Sequence, residues 1–424
     1  MTLPAPAGAP TGLDALAEPQ VPVSSGWVSR LTIASIGLYA GFFGPLQVLL
    51  ARQIADFAPT HKESVLALVT GVGALMSTVG TPLWGALSDR TGSRFGRRLP
   101  WIAGGALAGA LALLVLSAAS SVAMVVVGWA AVQLCLNGVV AALTACVPDQ
   151  VPEQQRGFVS GWVGLAQTMG VVVGTGVATA AGGIRAGYAA LAALVIVTVS
   201  LFLVRSGDRP LRDDQRGPLA LGAFVRGFWV SPRAHPDFAW AWGTRFLMNV
   251  ANAIGTLYLL YFLTDVVRVD DPEGHVFILV LIYAGALCLT AVVSGIASDR
   301  LGKRKIFVIV AGVVMTAACL FLAFRPTWPG AVGAAVLLGL GFGVYAAVDF
   351  ALITEVLPAA ADRARDLGVI NIANALPQVL APVIAAPVLA LFATRATGYR
   401  ALYVVAAVVG LVGALLVRRI RSVS

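Results

Sequence analysis

The sequence predicts an all-α polytopic membrane protein in which twelve transmembrane helices form two six-helix repeats. Three observations lead there. Of the 424 residues, 58% are hydrophobic and only 12% are charged, and the mean hydropathy is +0.87, which is far too apolar for a soluble domain. The apolar residues fall into twelve runs, each close to the roughly 20 residues that cross about 30 Å of hydrocarbon. Between the second and third runs lies a short polar, basic turn at 85–98, and a second version of it at 295–305 returns about half a chain later. The runs lack period-two alternation and exceed the length of barrel strands, so they are helices.

Residues 1–25 are rich in Pro, Ala and Gly, with no basic region ahead of an apolar core. They read as a disordered tail rather than a signal peptide or a domain. An N-terminal bundle, 26–205, holds predicted spans at 30–53, 64–88, 100–119, 122–147, 158–181 and 187–205. A polar stretch, 206–236, carries Asp208, Asp213, Asp214 and several Arg and reads as a linker. A C-terminal bundle, 237–418, holds spans at 237–264, 275–298, 305–325, 331–357, 367–392 and 400–418, followed by a short tail, 419–424. Gly96 and Pro152 match Gly302 and Pro358 at one constant offset, whereas the offset between Asp89 and Asp299 is four residues larger. The halves therefore read as parallel repeats, the first with the longer turn.

Most of the 29 Lys and Arg lie on one side if the N-terminus is cytoplasmic, among them Arg94, the linker arginines and Arg418. The positive-inside bias then gives a multi-pass protein of the cell membrane with both termini in the cytoplasm. On this reading the net charge of +9 reports topology and implies no nucleic-acid partner. Cys135, Cys146, Cys288 and Cys319 fall inside predicted spans, where a free Cys is a small packing residue, so no disulfide or metal site is expected. The loops leave no room for a catalytic domain, and no Gly-rich phosphate loop ends in Lys and Ser or Thr. An enzyme, an ATP-driven pump and a cofactor are all unexpected.

The polar turn has its own chemistry. Asp89 ends a helix, where it can face backbone donors or the cations of the turn, and Arg94, Arg97 and Arg98 sit where anionic headgroups and helix C-terminal carbonyls attract them. The pattern Gly85, Asp89, Arg90, Gly92, Arg97 and Arg98, repeated as Gly295, Asp299, Arg300, Gly302 and Arg304, resembles the signature turn of the major facilitator superfamily. With the six-plus-six layout, the likeness covers essentially the whole chain. The run from Asp89 to Trp101 is similar to the version in sucrose transporters and the related glycoside-pentoside-hexuronide cation symporters. The resemblance implies the major facilitator fold, alternating access, and a latch at Asp89, and by symmetry Asp299, that holds the inner ends of the halves together. It also implies a central cavity lined by helices 1, 4, 7 and 10 and flanked by helices 2, 5, 8 and 11.

On those helices, polar residues recur at helical spacing: Gln133 and Asn137 on the fourth, Asn249, Asn252 and Tyr258 on the seventh, Tyr345 on the tenth, Asn371 and Asn374 on the eleventh. Amides and tyrosine hydroxyls suit a hydroxyl-rich or mixed polar and aromatic solute; the alternative for each is interhelical glue. Arg245 and Asp349 stand out as ionisable residues within spans. Counted from the inner helix ends at about 1.5 Å per residue, both lie roughly 10 to 12 Å deep, so each is the other's expected partner. The alternative places Arg245 at the membrane edge, because Trp27 and Arg30 match Trp242 and Arg245. Gly105 and Gly109, Gly170 and Gly174, and Gly339 and Gly343 allow close helix approach, with rocking around such contacts as the expected motion.

The resulting expectation is a secondary active transporter of a small organic solute, a sugar or glycoside, in symport with a proton or sodium ion across the lipid bilayer. Asp349 is the expected carrier of the coupling proton or a contact to a substrate hydroxyl. One alternative is proton-driven efflux of a hydrophobic drug or metabolite. Helix 5 keeps the spaced glycines Gly161, Gly170 and Gly174 of antiporters in this superfamily but has Thr175 where their Pro belongs. A non-transporting receptor or scaffold is the alternative of another class.

Overall fold

The computed structural model describes residues 19–420 except 206, 209, 211–232, 234, 302 and 356–362, so most of the expected linker and both ends of the chain lie outside the described residues. Twelve helical segments follow one another: α1 (Ser25–Phe57), α2 (Lys62–Ser88), α3 (Leu99–Ser117), α4 (Val122–Gln150), α5 (Glu153–Ala180) and α6 (Ile184–Leu203). Then come α7 (Pro236–Leu257, continued by Leu259–Val267), α8 (Pro272–Leu301), α9 (Arg304–Phe324), α10 (Trp328–Glu355), α11 (Arg363–Ala390) and α12 (Arg395–Leu416). Among the described residues, ten helices are long and apolar enough to cross a membrane, and α7 makes an eleventh if its parts, bent by 45°, count as one span. The remaining helix, α11, has Pro377, Pro382 and Pro387 inside it.

Helix starts are written locally. Ser24, Ser121 and Thr394 precede α1, α4 and α12, and each side-chain oxygen accepts a backbone N–H three residues on, satisfying a donor that the helix itself leaves open. Two helices contain a π turn, Pro45–Leu49 in α1 and Leu263–Val267 in α7, at matching places in the two halves. Beyond the turn in α1, Gln53 is buried; it donates to the Leu116 carbonyl at 2.8 Å and accepts from the Tyr188 hydroxyl at 3.0 Å.

Packing follows an internal symmetry. In the first half α1 packs on α5 and α6, α2 on α4, and α3 on α4 and α6; in the second α7 packs on α11 and α12, α8 on α10, and α9 on α10 and α12. Adding six to each label turns one set into the other. The halves meet along α2 with α11 and α5 with α8, seams that the same operation exchanges.

The glycine pairs lie elsewhere than expected for a hinge. A Cβ on Gly174 would come within 2.6 Å of the Ala40 carbonyl oxygen, one on Gly109 within 2.2 Å of Leu136, and one on Gly339 within 2.4 Å of the Tyr283 carbonyl oxygen. These seams are α1 with α5, α3 with α4 and α8 with α10, all inside one half. The glycines bind each half into a body and are not the contacts between the two.

The two basic turns also differ. The helix α2 stops at Ser88, ahead of a ten-residue turn, whereas α8 runs on through Asp299 and Arg300 to Leu301 and leaves only 302 and 303 before α9. The shorter second turn is absorbed into its helix.

Candidate functional site

At the end of the molecule that holds Asp89, the basic turn folds around a carboxylate from α4. Arg97 reaches Asp149 at 2.5 Å and Arg98 reaches its other oxygen at 2.9 Å; Arg98 also meets Asp89 at 2.5 Å and donates to Ser88 Oγ at 2.6 Å. Arg97 and Arg98 are buried, so their expected place at headgroup level gives way to a carboxylate network. Only Arg94 stays outward, lying 4.7 Å over the exposed Phe95 ring. Gly96 has φ +104° and sits where a Cβ would strike the Asp208 carboxylate. That carboxylate accepts the N–H groups of Arg98 and Leu99 at 2.6 and 3.0 Å and so caps α3 from beyond α6.

The described ion pair of Asp89 thus stays inside the first half, and Asp149, rather than Asp89, is the hub. Gly85 accepts the Asp89 and Ser88 donors through its carbonyl, Arg90 continues the turn through an N–H to Leu87, and Gly92 is exposed. In the second copy Gly295 faces Ala347 of α10, Arg300 is exposed and Arg304 begins α9. Gly302 and the Asp299 side chain lie outside the described set.

A cavity of about 870 Å³ lies between the halves. Among the described residues, its walls come from α1 and α5 on one side and α7, α8 and α10, with Leu322 of α9, on the other. Helix α4 does not contribute. The expected ligands Gln133 and Asn137 face each other instead, with Asn137 Nδ2 donating to Gln133 Oε1 at 2.6 Å. Tyr258 is fully buried and does not line the cavity. The side chains of Asn371 and Asn374 lie outside the described set.

The remaining candidates do come together. Arg245, Asn249, Asn252 and Thr256 form one stripe along α7 at successive spacings of four, three and four residues. Asn249 Nδ2 donates to the Arg245 carbonyl at 2.9 Å, and the Tyr283 hydroxyl of α8 donates to Asn252 Oδ1 at 3.3 Å. Arg245 Nη1 pairs with Asp349 Oδ2 of α10, and Tyr345 lies one turn away on the same face. The Arg245 and Asp349 side chains are 12% and 6% exposed, so the pair is covered by protein. The opposite wall mixes Gln47, Gln167 and Thr168 with Phe43, Leu46 and Leu165. Tyr283, Gln167 and Thr168 had no sequence signal beyond being polar residues on helices expected only to flank the cavity.

A second charged cluster lies at the far end. Three ion pairs cross from half to half there: Arg52 with Glu273 at 2.8 Å, Lys62 with Asp265 at 2.7 Å, and Glu63 with Arg395. None of these was singled out by the sequence, in which Lys62 and Glu63 belong to a short loop.

Comparison with known proteins accounts for this architecture. The family model described as Major Facilitator Superfamily matches residues 31–382 and 273–424. Multidrug resistance protein MdtG of Salmonella paratyphi C is 25% identical over 189 residues, covering 43% of this chain and 44% of that protein. The chain thus matches less than half the length of that relative. The crystal structure of nucleoside transporter NupG superposes with a TM-score of 0.72 at 15% identity, covering 93% of this chain and 98% of that one. The human organic anion transporter MFSD10 (TETRAN) superposes at 0.67 with 16% identity, covering 94% and 100%. With a family model matching nearly its full length, the chain belongs to the major facilitator superfamily and is a multi-pass membrane protein.

Proposed function

We propose that this protein carries a small, uncharged organic solute with both apolar and hydroxyl-bearing parts, a glycoside or sugar, by alternating access and in symport with a proton. The observation that carries the reading is the Arg245–Asp349 pair in the cavity wall. The two charges neutralise each other, which leaves amides, hydroxyls and apolar side chains to meet the solute. A neutral solute with hydrogen-bonding edges and one apolar face fits that lining, whereas an ion would have to displace one member of the pair. If the helices carrying the pair separate, Asp349 is left as a buried carboxylate without its cation, and it sheds that cost by taking a proton.

In this reading the Asp89 end and both termini face the cytoplasm and the Glu63 end faces outward. The apolar side of the cavity, together with the name of the multidrug resistance relative, favours a second reading, proton-driven export of a hydrophobic compound. Reconstituted vesicles with an imposed pH gradient separate the two. Labelled glycosides should accumulate down the proton gradient and be released when it is collapsed. Extrusion of lipophilic dyes with no glycoside flux would replace the first reading by the second.

A further inference from the structure

We infer that Arg52, Lys62, Glu63, Asp265, Glu273 and Arg395 form a gate that closes the Glu63 end of the transport path, an inference that rests on the alternating-access reading. Each of the three pairs takes one member from each half: α1 with α8, α2 with α7, and α2 with α12. The first half supplies two cations and one anion, the second two anions and one cation, so the facing surfaces attract as wholes. Lys62 and Glu63 are neighbours on one half, and Asp265 and Arg395 both belong to the other. When the halves part, each side therefore keeps an acid and a base from these two pairs, and the charges left over, Arg52 and Glu273, are side chains already 40% and 22% exposed to water.

The layer below the ion pairs closes the path physically. Lys62 Nζ sits 4.8 Å over the Tyr261 ring, and the Tyr261 hydroxyl donates to the Ala51 carbonyl of the other half at 2.7 Å. Phe262 lies edge-on to Tyr399 and Tyr403 at 5.8 and 5.1 Å. The buried core of the first half runs without a break into Tyr258, Phe262, Tyr399 and Tyr403, whereas the core around Met248, Met315 and Leu352 of the second half is a separate cluster. Among the described residues, the buried core shared by the two halves takes in the Glu63 end.

Opposing forces make this contact reversible. The hydroxyls of Tyr258, Tyr399 and Tyr403 are buried with no hydrogen-bond partner among the described residues, which favours any state that returns them to water. The ion pairs oppose this, and two of them use side chains about 40% exposed, Arg52 and Arg395, so each is weak enough to break within a cycle. The two π turns abut the gate: Asp265 lies inside one, and Ala51 and Arg52 follow the other.

The test measures the opening of this end directly. Thr60 and Asp270 are exposed on opposite halves at the Glu63 end, and spin labels on Thr60→Cys and Asp270→Cys, with the four native cysteines replaced, report the distance between the halves in lipid nanodiscs. Glu63→Gln and Arg395→Gln should each raise the population at long distance about two- to five-fold, the effect of losing one partly exposed pair. The swapped variant Glu63→Arg/Arg395→Glu should return it to the parent value. Asp265→Asn serves as an independent break if either single variant fails to fold. An unshifted distance distribution in the broken variants, or a swap that stays as open as they are, overturns the gate. Failure of the transport reading would appear differently, as absence of solute flux in the wild-type protein.

Discussion

Breaking the pair inside the cavity separates coupling from folding. In Asp349→Asn the Arg245 guanidinium keeps its charge but loses the carboxylate, and with side chains 12% and 6% exposed there is little water to replace it. Removing one partner of a buried pair costs about 3 to 5 kcal/mol; the cavity beside Arg245 places this case at the low end, about 3 kcal/mol. A fall of roughly 3 °C in the midpoint of thermal unfolding in detergent is expected for a chain of 424 residues. Arg245→Gln/Asp349→Asn removes both charges and should regain most of that loss, because no lone ion remains. The functional outcome should not follow stability. In vesicles both variants should exchange solute across the membrane yet fail to accumulate it under a pH gradient, since neither has a carboxylate to take the proton. Accumulation at the wild-type level in either variant would refute the coupling role of Asp349, and a double variant as unstable as the single one would refute the account of the pair.

Other outcomes follow from the turn and the seams. Asp149→Ala takes the carboxylate from Arg97 and leaves Arg98 with Asp89 and Ser88 alone, at side chains 9% and 5% exposed, and should cost about 2 to 4 kcal/mol in thermal unfolding. Asp89→Ala, from a side chain 57% exposed, should cost less than about 1 kcal/mol, and the reverse order would undo the hub assignment. Asp89→Asn should lower transport far more than membrane insertion, and transport at the wild-type rate would remove its latch role. Gly174→Leu, aimed at the Ala40 and Gly44 backbone, should abolish folded protein in size-exclusion profiles, whereas Gly161→Ala, with nothing within 4 Å, should be tolerated. Ala220→Cys should react with an impermeant thiol reagent from the cytoplasmic side alone, and labelling from outside would invert the proposed orientation.

The helices were legible because each apolar run is longer than any strand, and the repeat because its polar turn recurs with the same small, acidic and basic residues. Depth along a helix was legible too, since rise per residue is fixed: that is how Arg245 and Asp349 could be matched across 104 residues. Azimuth was not. Gln133 and Asn137 have the spacing of a binding stripe, but which way that stripe faces is decided by the packing of α4 on α2 and α3, which no local pattern encodes. The cluster at the Glu63 end was hidden for another reason. Its partners stand 203 and 332 residues apart in the chain, and a charge beside a helix start looks the same whether it faces water or a partner.

The π turns in α1 and α7 carry a consequence for how this molecule can change over generations. Such a turn holds one more residue than the α-helix needs, so excising a single residue from 45–49 would let α1 run on as a regular helix. Residues beyond it would keep the faces they show now, because the five residues of a π turn sweep about the same arc as four of an α-helix. Gln53 would keep its bonds to Leu116 and Tyr188, and Arg52 its pair with Glu273. What such a deletion would alter is the turn itself, where Leu46 and Gln47 line the cavity. A deletion in the regular part of α1 would instead swing everything after it by about 100° around the axis, so the π turns at 45–49 and 263–267 are the places where these helices tolerate a change of length.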